Sequence, residues 1–177
     1  LAAGQESLRL GGGFFHAKIN TSKKSTQQMT TQKYDPIRLD ANRYPFGLVV
    51  VPRFADMDML RHINNLALAE YHEEARVRFL SEIFGEDLLF RKRNYRLLVA
   101  KASYDYLHEA HYPQPLEARV GVARIGNSSF ELALALFQEG RCVCLADVVA
   151  VHVTDDGPAP LLAELRTKLQ SRLLLRD

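Results

Sequence analysis

The amino-acid sequence predicts an α+β fold, with an antiparallel sheet, one long helix packed against it and a second helix near the C-terminal end. Apolar residues between Leu66 and Phe84 recur with the period of a helix. Four apolar or alternating segments follow, and turn residues separate them as they separate antiparallel strands. Such a sheet has two faces to bury, so we expect the long helix to cover one of them.

The first predicted elements are a strand over residues 46–54 and a helix over residues 66–84. The strand segment is rich in valine and ends at an acidic motif. In the helical segment, Ala75 and Phe79 widen an apolar strip along one side. Gly85 follows the last apolar residue directly, which is typical of a helix end.

Four further strands are predicted over residues 95–108, 116–125, 130–138 and 142–153. Gly126-Asn127 is a two-residue hairpin signal between the second and third of them. In the third strand both alternating sets of side chains are largely apolar, namely Phe130, Leu132, Leu134 and Leu136 on one face and Ala133, Ala135 and Phe137 on the other. We therefore expect both faces of the sheet to be covered, with a partner subunit supplying what the helix does not.

The last predicted element is a helix over residues 161–175. It follows a turn at residues 155–158, and Pro160 lies near its first turn, where proline is tolerated.

Length and charge indicate one domain preceded by a tail. The chain has 177 residues, which suits a single domain. Residues 1–40 carry six Lys/Arg and three Asp/Glu, whereas the remainder carries 17 and 18. Residues 1–40 are predicted to be a leader, flexible or foreign to the natural protein, with Met29 as a candidate natural start, and residues 41–177 the folded domain. The domain is close to neutral, so we expect no nucleic-acid partner, and no apolar run is long enough to span a membrane.

Cys142 and Cys144 lie two residues apart in a predicted strand. Their side chains would share a face at a spacing that disfavours a disulfide between them. Two cysteines without further closely spaced ligands do not make a zinc site, and no other metal site is predicted. Free thiols in a reducing environment indicate a cytoplasmic protein.

The segment with the most chemical content is residues 54–65, directly before the long helix. Asp56 and Asp58 lie two apart, so on extended backbone they project to the same side. His62 follows, and Asn64 and Asn65 are strong helix N-cap types. A carboxylate beside a helix N-terminus suits carbonyl chemistry, because the carboxylate can activate water while unpaired backbone N–H groups polarise the carbonyl oxygen.

Each of these residues also has a purely structural interpretation. An asparagine at this place is most often a plain cap, and a lone histidine is most often packed or capping. Asp56 would then bond to amides of its own loop. Only the combination of residue types singles out Asp58.

The pattern Asp56-Met57-Asp58-x-x-x-His62-Ile63-Asn64-Asn65, with Glu73-Glu74-Ala75-Arg76 after it, resembles the hotdog-fold acyl-CoA thioesterases. Within the hydroxybenzoyl-CoA thioesterase-like superfamily, it is most similar to the FadM type of long-chain acyl-CoA thioesterase. The resemblance implies a curved antiparallel sheet wrapped around a long central helix, and a homodimer or homotetramer with its active site between subunits. It departs at Leu60, where plant relatives have asparagine, and at Arg61, where relatives often have glycine.

By position, the resemblance places the catalytic aspartate on Asp58 and the rest of the motif on His62, Asn64 and Asn65. It implies hydrolysis of a fatty or aromatic acyl-CoA, with Asp58 as general base or nucleophile and coenzyme A as part of the substrate rather than a cofactor. In another branch of the fold the carboxylate comes from the central helix, which here offers Glu70, Glu73 and Glu74, although a solvated or ion-paired helix face with Arg76 and Arg78 is the favoured interpretation of these.

The basic cluster Arg91, Lys92 and Arg93 is a candidate for the coenzyme A phosphates, with a solvated loop as the structural alternative. Two other functions remain open. One is an acyl-thioester hydratase or dehydratase of the same fold. The other is a non-catalytic acyl-CoA-binding dimer.

Overall fold

The computed structural model describes residues 33–85 and 95–175. Strand β1 (Phe46–Val50) leads to helix α1 (Asn65–Phe84). The remaining strands are β2 (Arg96–Tyr106), β3 (Leu116–Ile125), β4 (Ser129–Gln138), β5 (Arg141–Thr154) and the two-residue β6 (Gly157–Pro158). Helix α2 (Ala163–Gln170) follows, and short 3-10 turns lie at Pro36–Leu39, Ala41–Arg43 and Phe54–Asp56.

The strands form one antiparallel sheet in the order β1-β3-β4-β5-β2, with β6 beside the end of β5. Strands β3, β4 and β5 pair with their chain neighbours through tight turns, whereas β2 lies at one edge. The pairing shifts register at Val99/Lys101, Val122/Arg124 and Leu136/Phe137. Bulges of this kind increase the twist of a sheet, and this sheet curls around α1.

The larger core lies between the sheet and α1. Phe79 of α1 is fully buried against Leu132, Leu134 and Leu136, which project from one face of β4. Asn64 caps the helix, and Gly85 ends it with a φ of 81°, a left-handed conformation that favours glycine. The helix predicted over residues 66–84 is therefore confirmed almost to the residue.

The second face of the sheet is covered by this chain itself. Ala133, Ala135 and Phe137 form a smaller core with Tyr44 and Leu174, and Tyr34, Ile37 and Leu39 pack against it. Arg38 reaches across this face and donates to Asp147 (2.7 Å) and to the carbonyl of Ala146 (3.0 Å). Contacts of the folded domain therefore begin before residue 41, within the predicted leader, while residues 1–32 lie outside the described residues.

Two element boundaries differ from the sequence prediction by four residues or more. Strand β1 ends at Val50 rather than at residue 54, because the chain turns into a 3-10 segment held by Asp56. Helix α2 ends at Gln170, and the chain beyond it lies beside β3, where Val122 exchanges backbone bonds with Arg172 (2.8 Å) and Leu174 (3.0 Å). Leu174 packs in the smaller core. The apolar residues that predicted a longer helix therefore include one that is buried without being helical.

Among the described residues, no helix combines the length and the apolar composition that crossing a bilayer requires.

Candidate active site

Asp56 is a structural residue that fixes the loop before α1. Its carboxylate is buried and accepts bonds from the Arg53 backbone N–H (2.7 Å), the Arg53 guanidinium (2.7 and 3.0 Å) and the Tyr71 hydroxyl (2.5 Å). The bonds from Arg53, with a further one from Tyr71, lower the pKa of Asp56 to about 2 despite its burial. The structural interpretation of Asp56 as a loop-bonding carboxylate is thus confirmed.

Asp58 lies at the start of a tight loop and is half-buried. Its Oδ1 accepts from the backbone N–H groups of Leu60 (2.8 Å) and His62 (3.4 Å), while its own backbone N–H donates to the His62 carbonyl (2.9 Å). No bond from the described residues reaches Oδ2. The loop therefore orients the carboxylate through one oxygen and leaves the other available.

Arg61 adopts a φ of 66° in this loop. That left-handed conformation costs an L side chain about 1 kcal/mol and costs glycine almost nothing. The glycine expected at this place in relatives therefore has a conformational reason, and Arg61 keeps the same backbone turn at the cost of strain.

The ring of His62 has its contacts with residues outside the motif. Its Nε2 lies 3.4 Å from Oε2 of Glu109, and its ring packs edge-on against His111 at 5.6 Å between centroids. Glu109 also lies 3.7 Å from Nε2 of His111. The link between His62 and Asp58 therefore runs through the loop backbone. Sequence reasoning missed Glu109 and His111, because they follow the motif by almost fifty residues with no pattern to connect them.

Asn64 is the N-cap of α1, and its Oδ1 accepts from the Leu66 backbone N–H (2.8 Å). Asn65 is the first helical residue, and the Tyr106 hydroxyl donates to its carbonyl (3.4 Å). The amides of a first helical turn have no acceptor within the helix, so those not capped by Asn64 are open to a ligand. The backbone bond from Ile63 to Ala110 (2.8 Å) ties this helix start to the segment before β3.

These elements enclose a cavity of about 330 Å³, which we call the inner cavity. Asp58, His62 and Asn65 all line it, whereas Asn64 does not. Its other walls come from Leu60, Ile63, Leu68, Tyr106, Leu107, His108, Glu109 and Ala110. The fold thus brings three of the four motif residues to one space, with a carboxylate beside a helix N-terminus.

The candidate glutamates of α1 do not line this cavity. Arg91, Lys92 and Arg93 lie outside the described residues, so their role stays a prediction. On α1, Glu73 pairs with Arg76, Glu74 with Arg78 (2.7 Å) and Glu70 with Arg53 (3.7 Å). This is the ion-paired helix face of the structural interpretation. Within residues 33–85 and 95–175, no group of three or more His, Cys, Asp or Glu is placed to hold a metal ion.

Comparison with known proteins settles the family. A sequence profile described as the Thioesterase-like superfamily matches residues 52–171, which is most of the chain and includes the whole site. The chain belongs to this superfamily. The hotdog fold implied by the sequence is confirmed, while the narrower FadM type stays a prediction.

Proteins of known structure and a curated relative are similar to most of the chain. The PA5185 protein of Pseudomonas aeruginosa is 30% identical, with a TM-score of 0.68 over 78% of this chain and 98% of that one. A thioesterase of Thermus thermophilus, solved with coenzyme A and zinc, is 26% identical, with a TM-score of 0.65 over 73% and 94%. The YsmA protein of Bacillus subtilis is 28% identical over 115 residues, 64% of this chain and 76% of that protein.

Proposed function

We propose that this protein is an acyl-CoA thioesterase in which Asp58 performs the hydrolytic step. The observation that carries the proposal is the placement of the Asp58 carboxylate on the wall of the inner cavity, beside the first turn of α1. Family membership supports a thioester substrate, and the relative from Thermus thermophilus was solved with coenzyme A. In this arrangement a thioester carbonyl would lie between a base and a set of backbone N–H donors.

The chemistry demands little beyond these two elements. A thioester carbonyl is poorly stabilised by resonance, and a thiolate leaves with little need of a proton. Asp58 either removes a proton from the attacking water or attacks the carbonyl itself, forming a mixed anhydride that water then cleaves. In both routes the carbonyl oxygen gains negative charge, which the N–H groups at Asn65 and the following turn would stabilise.

The site is proposed to be completed by a second copy of the chain. Strand β2 is an edge strand, and its apolar side chains Leu98 and Val99 are about half exposed, at 49% and 46%. Tyr106, from the same strand, lines the inner cavity and is itself 46% exposed. Within the part of the chain that the structure describes, this apolar edge has no neighbouring strand, and its free N–H and C=O groups are a template for pairing with one. Pairing two copies there would place material from the partner over the mouth of the cavity.

The test is release of free thiol from a panel of acyl-CoA substrates by the wild-type protein and Asp58→Asn. Asparagine keeps an oxygen to accept the Leu60 and His62 N–H groups, so the loop should survive while the base and nucleophile are lost. We expect kcat to fall at least a hundredfold, at the low end for loss of a general base. Asp155→Asn, on the exposed turn after β5, is the matched control and should retain activity.

Hydrolysis by Asp58→Asn within a few-fold of wild type would refute the assignment of Asp58. An enoyl-CoA in the same panel separates the remaining functions. A hydratase would consume its double bond and leave the thioester intact. A binding protein would be stabilised against heat by acyl-CoA without turnover.

A further inference from the structure

A second cavity adjoins the inner one and has a different character. It has a volume of about 530 Å³, and we call it the outer cavity. Three residues line both cavities, which are therefore adjacent: Leu107, His108 and Glu109. The other lining residues are His111, Gln138, Glu139, Arg141 and Val143.

The lining of the outer cavity is mostly polar. Six of its eight residues carry polar side chains, and only Leu107 and Val143 are apolar. A fatty acyl chain would find little apolar surface there, because the space is bounded by imidazole, carboxylate, amide and guanidinium groups. If the thioester of a substrate lies at Asp58, a polar and charged arm attached to it could extend past residues 107–109 into the outer cavity.

Arg141 gives this cavity a cation that forms no ion pair with a carboxylate of the described residues. Within the described residues, the partner of its guanidinium is Nδ1 of His108 at 2.9 Å, and no carboxylate lies within ion-pair distance. Burial, together with the charge of Arg141, lowers the pKa of His108, so its imidazole is neutral at pH 7 and accepts this bond. The remaining N–H donors of the guanidinium form a fork suited to phosphate oxygens.

Two carboxylates line the outer cavity and lower its positive electrostatic potential. Glu109 is already engaged by His62 and His111, at 3.4 and 3.7 Å. Glu139 lies on the exposed β4–β5 turn and would oppose an anion bound at Arg141. Any anion here must therefore be held by direct contact with the guanidinium, and removing the charge of Glu139 should strengthen its binding.

We propose that Arg141, positioned by His108, binds a phosphate group of the phosphopantetheine arm of the thioester substrate. The proposal rests on the proposed function for its ligand, a thioester held at Asp58 whose arm extends past residues 107–109 toward Arg141. The phosphate belongs either to the 4′ position of the arm or to the nucleotide of coenzyme A. Arg141 is thus a second candidate for phosphate recognition beside Arg91, Lys92 and Arg93.

The test compares three thioesters with the same acyl group: acyl-CoA, acyl-phosphopantetheine and acyl-pantetheine. Arg141→Gln should raise KM about tenfold for the phosphate-bearing substrates and leave kcat and the pantetheine thioester unchanged. Glu139→Gln should act in the opposite direction and lower KM for the same substrates. Loss with acyl-CoA alone would place the contact on the nucleotide, whereas loss with both would place it on the 4′-phosphate.

Arg124→Gln is the control, since Arg124 pairs with Glu131 near the other end of β3. Arg93→Gln tests the competing basic cluster. Two results would overturn the inference: a wild-type KM of Arg141→Gln for all three thioesters, or a rise in KM for acyl-pantetheine equal to that for the phosphate-bearing substrates. In either case, hydrolysis by the wild-type protein would leave the proposed function standing.

Calorimetric binding of coenzyme A to wild type and Arg141→Gln covers the case of no turnover. A wild type that binds coenzyme A without hydrolysing any thioester removes the hydrolase proposal, and the ratio of the two dissociation constants then decides on Arg141. If the wild type neither hydrolyses nor binds, both proposals fall.

Discussion

Replacing His72 should flatten the dependence of stability on pH. His72 lies on the buried side of α1 with 2% of its surface exposed, and neither ring nitrogen has a bonding partner among the described residues. Burial, with a smaller contribution from the charge of Arg38, lowers its pKa from 6.5 to about 3. The folded protein therefore keeps this imidazole neutral under conditions in which the unfolded chain takes up a proton.

The sign and size follow from that difference. As the pH falls below 6.5, the unfolded state gains a proton that the folded state refuses until about pH 3, so stability is lost across this window. Each pH unit costs about 1.4 kcal/mol, which gives about 2 kcal/mol at pH 5 and at most about 5 kcal/mol near pH 3. Below 3.8 the lowered pKa of Asp56 adds a loss of its own, so the comparison belongs above pH 4.

The assay is urea unfolding of wild type, His72→Phe and His72→Gln at intervals from pH 8 to pH 4.5. Both variants should lose about 2 kcal/mol less than wild type between pH 8 and pH 5, whatever their stability at pH 8. Phenylalanine preserves the volume and glutamine the polarity, so a shared change in slope isolates the proton. Parallel curves for all three proteins would show that the buried imidazole is protonated or hydrated in the folded state, against this reasoning.

Three further substitutions test the fold around the site by urea unfolding. Tyr71→Phe removes the hydroxyl bond to the buried Asp56 carboxylate and should cost about 1–2 kcal/mol; an unchanged midpoint would mean that Arg53 alone satisfies the carboxylate. Arg61→Gly relieves the left-handed φ and should stabilise by up to about 1 kcal/mol; a loss would show that the side chain contributes more than the strain costs. Gly121→Ala would bring a Cβ within 2.7 Å of Leu174 and 2.9 Å of Pro45, and should cost about 1–3 kcal/mol by overpacking; a neutral result would show that the C-terminal segment moves aside.

Local sequence patterns were sufficient for the regular elements. The apolar strip, the capping asparagine and Gly85 specify α1 from residues 64–85 alone, because helix bonds and caps are local. The alternation in β4 likewise predicted a sheet covered on both faces. It could not identify the cover, because residues 34–44 have no periodicity and are held by contacts such as that of Arg38 with Asp147, more than a hundred residues away.

The site was predictable only where it is contiguous. Asp58, His62 and Asn65 share one short segment, and a loop that folds onto a helix start brings them to one cavity. Asn64 shows that residue type alone does not identify a site residue, because its side chain caps the helix by accepting from the Leu66 N–H. His108, Glu109 and Arg141 come to the same place through strand pairing between β2 and β5, which no spacing in the sequence encodes.

The segment around Arg38, which covers the face of the sheet opposite α1, affects how this protein can be shortened for experiments. Tyr34, Ile37 and Leu39 seal apolar side chains of β4 on the side of the sheet opposite α1. A shortened version that starts after residue 40 would expose this apolar patch and favour aggregation.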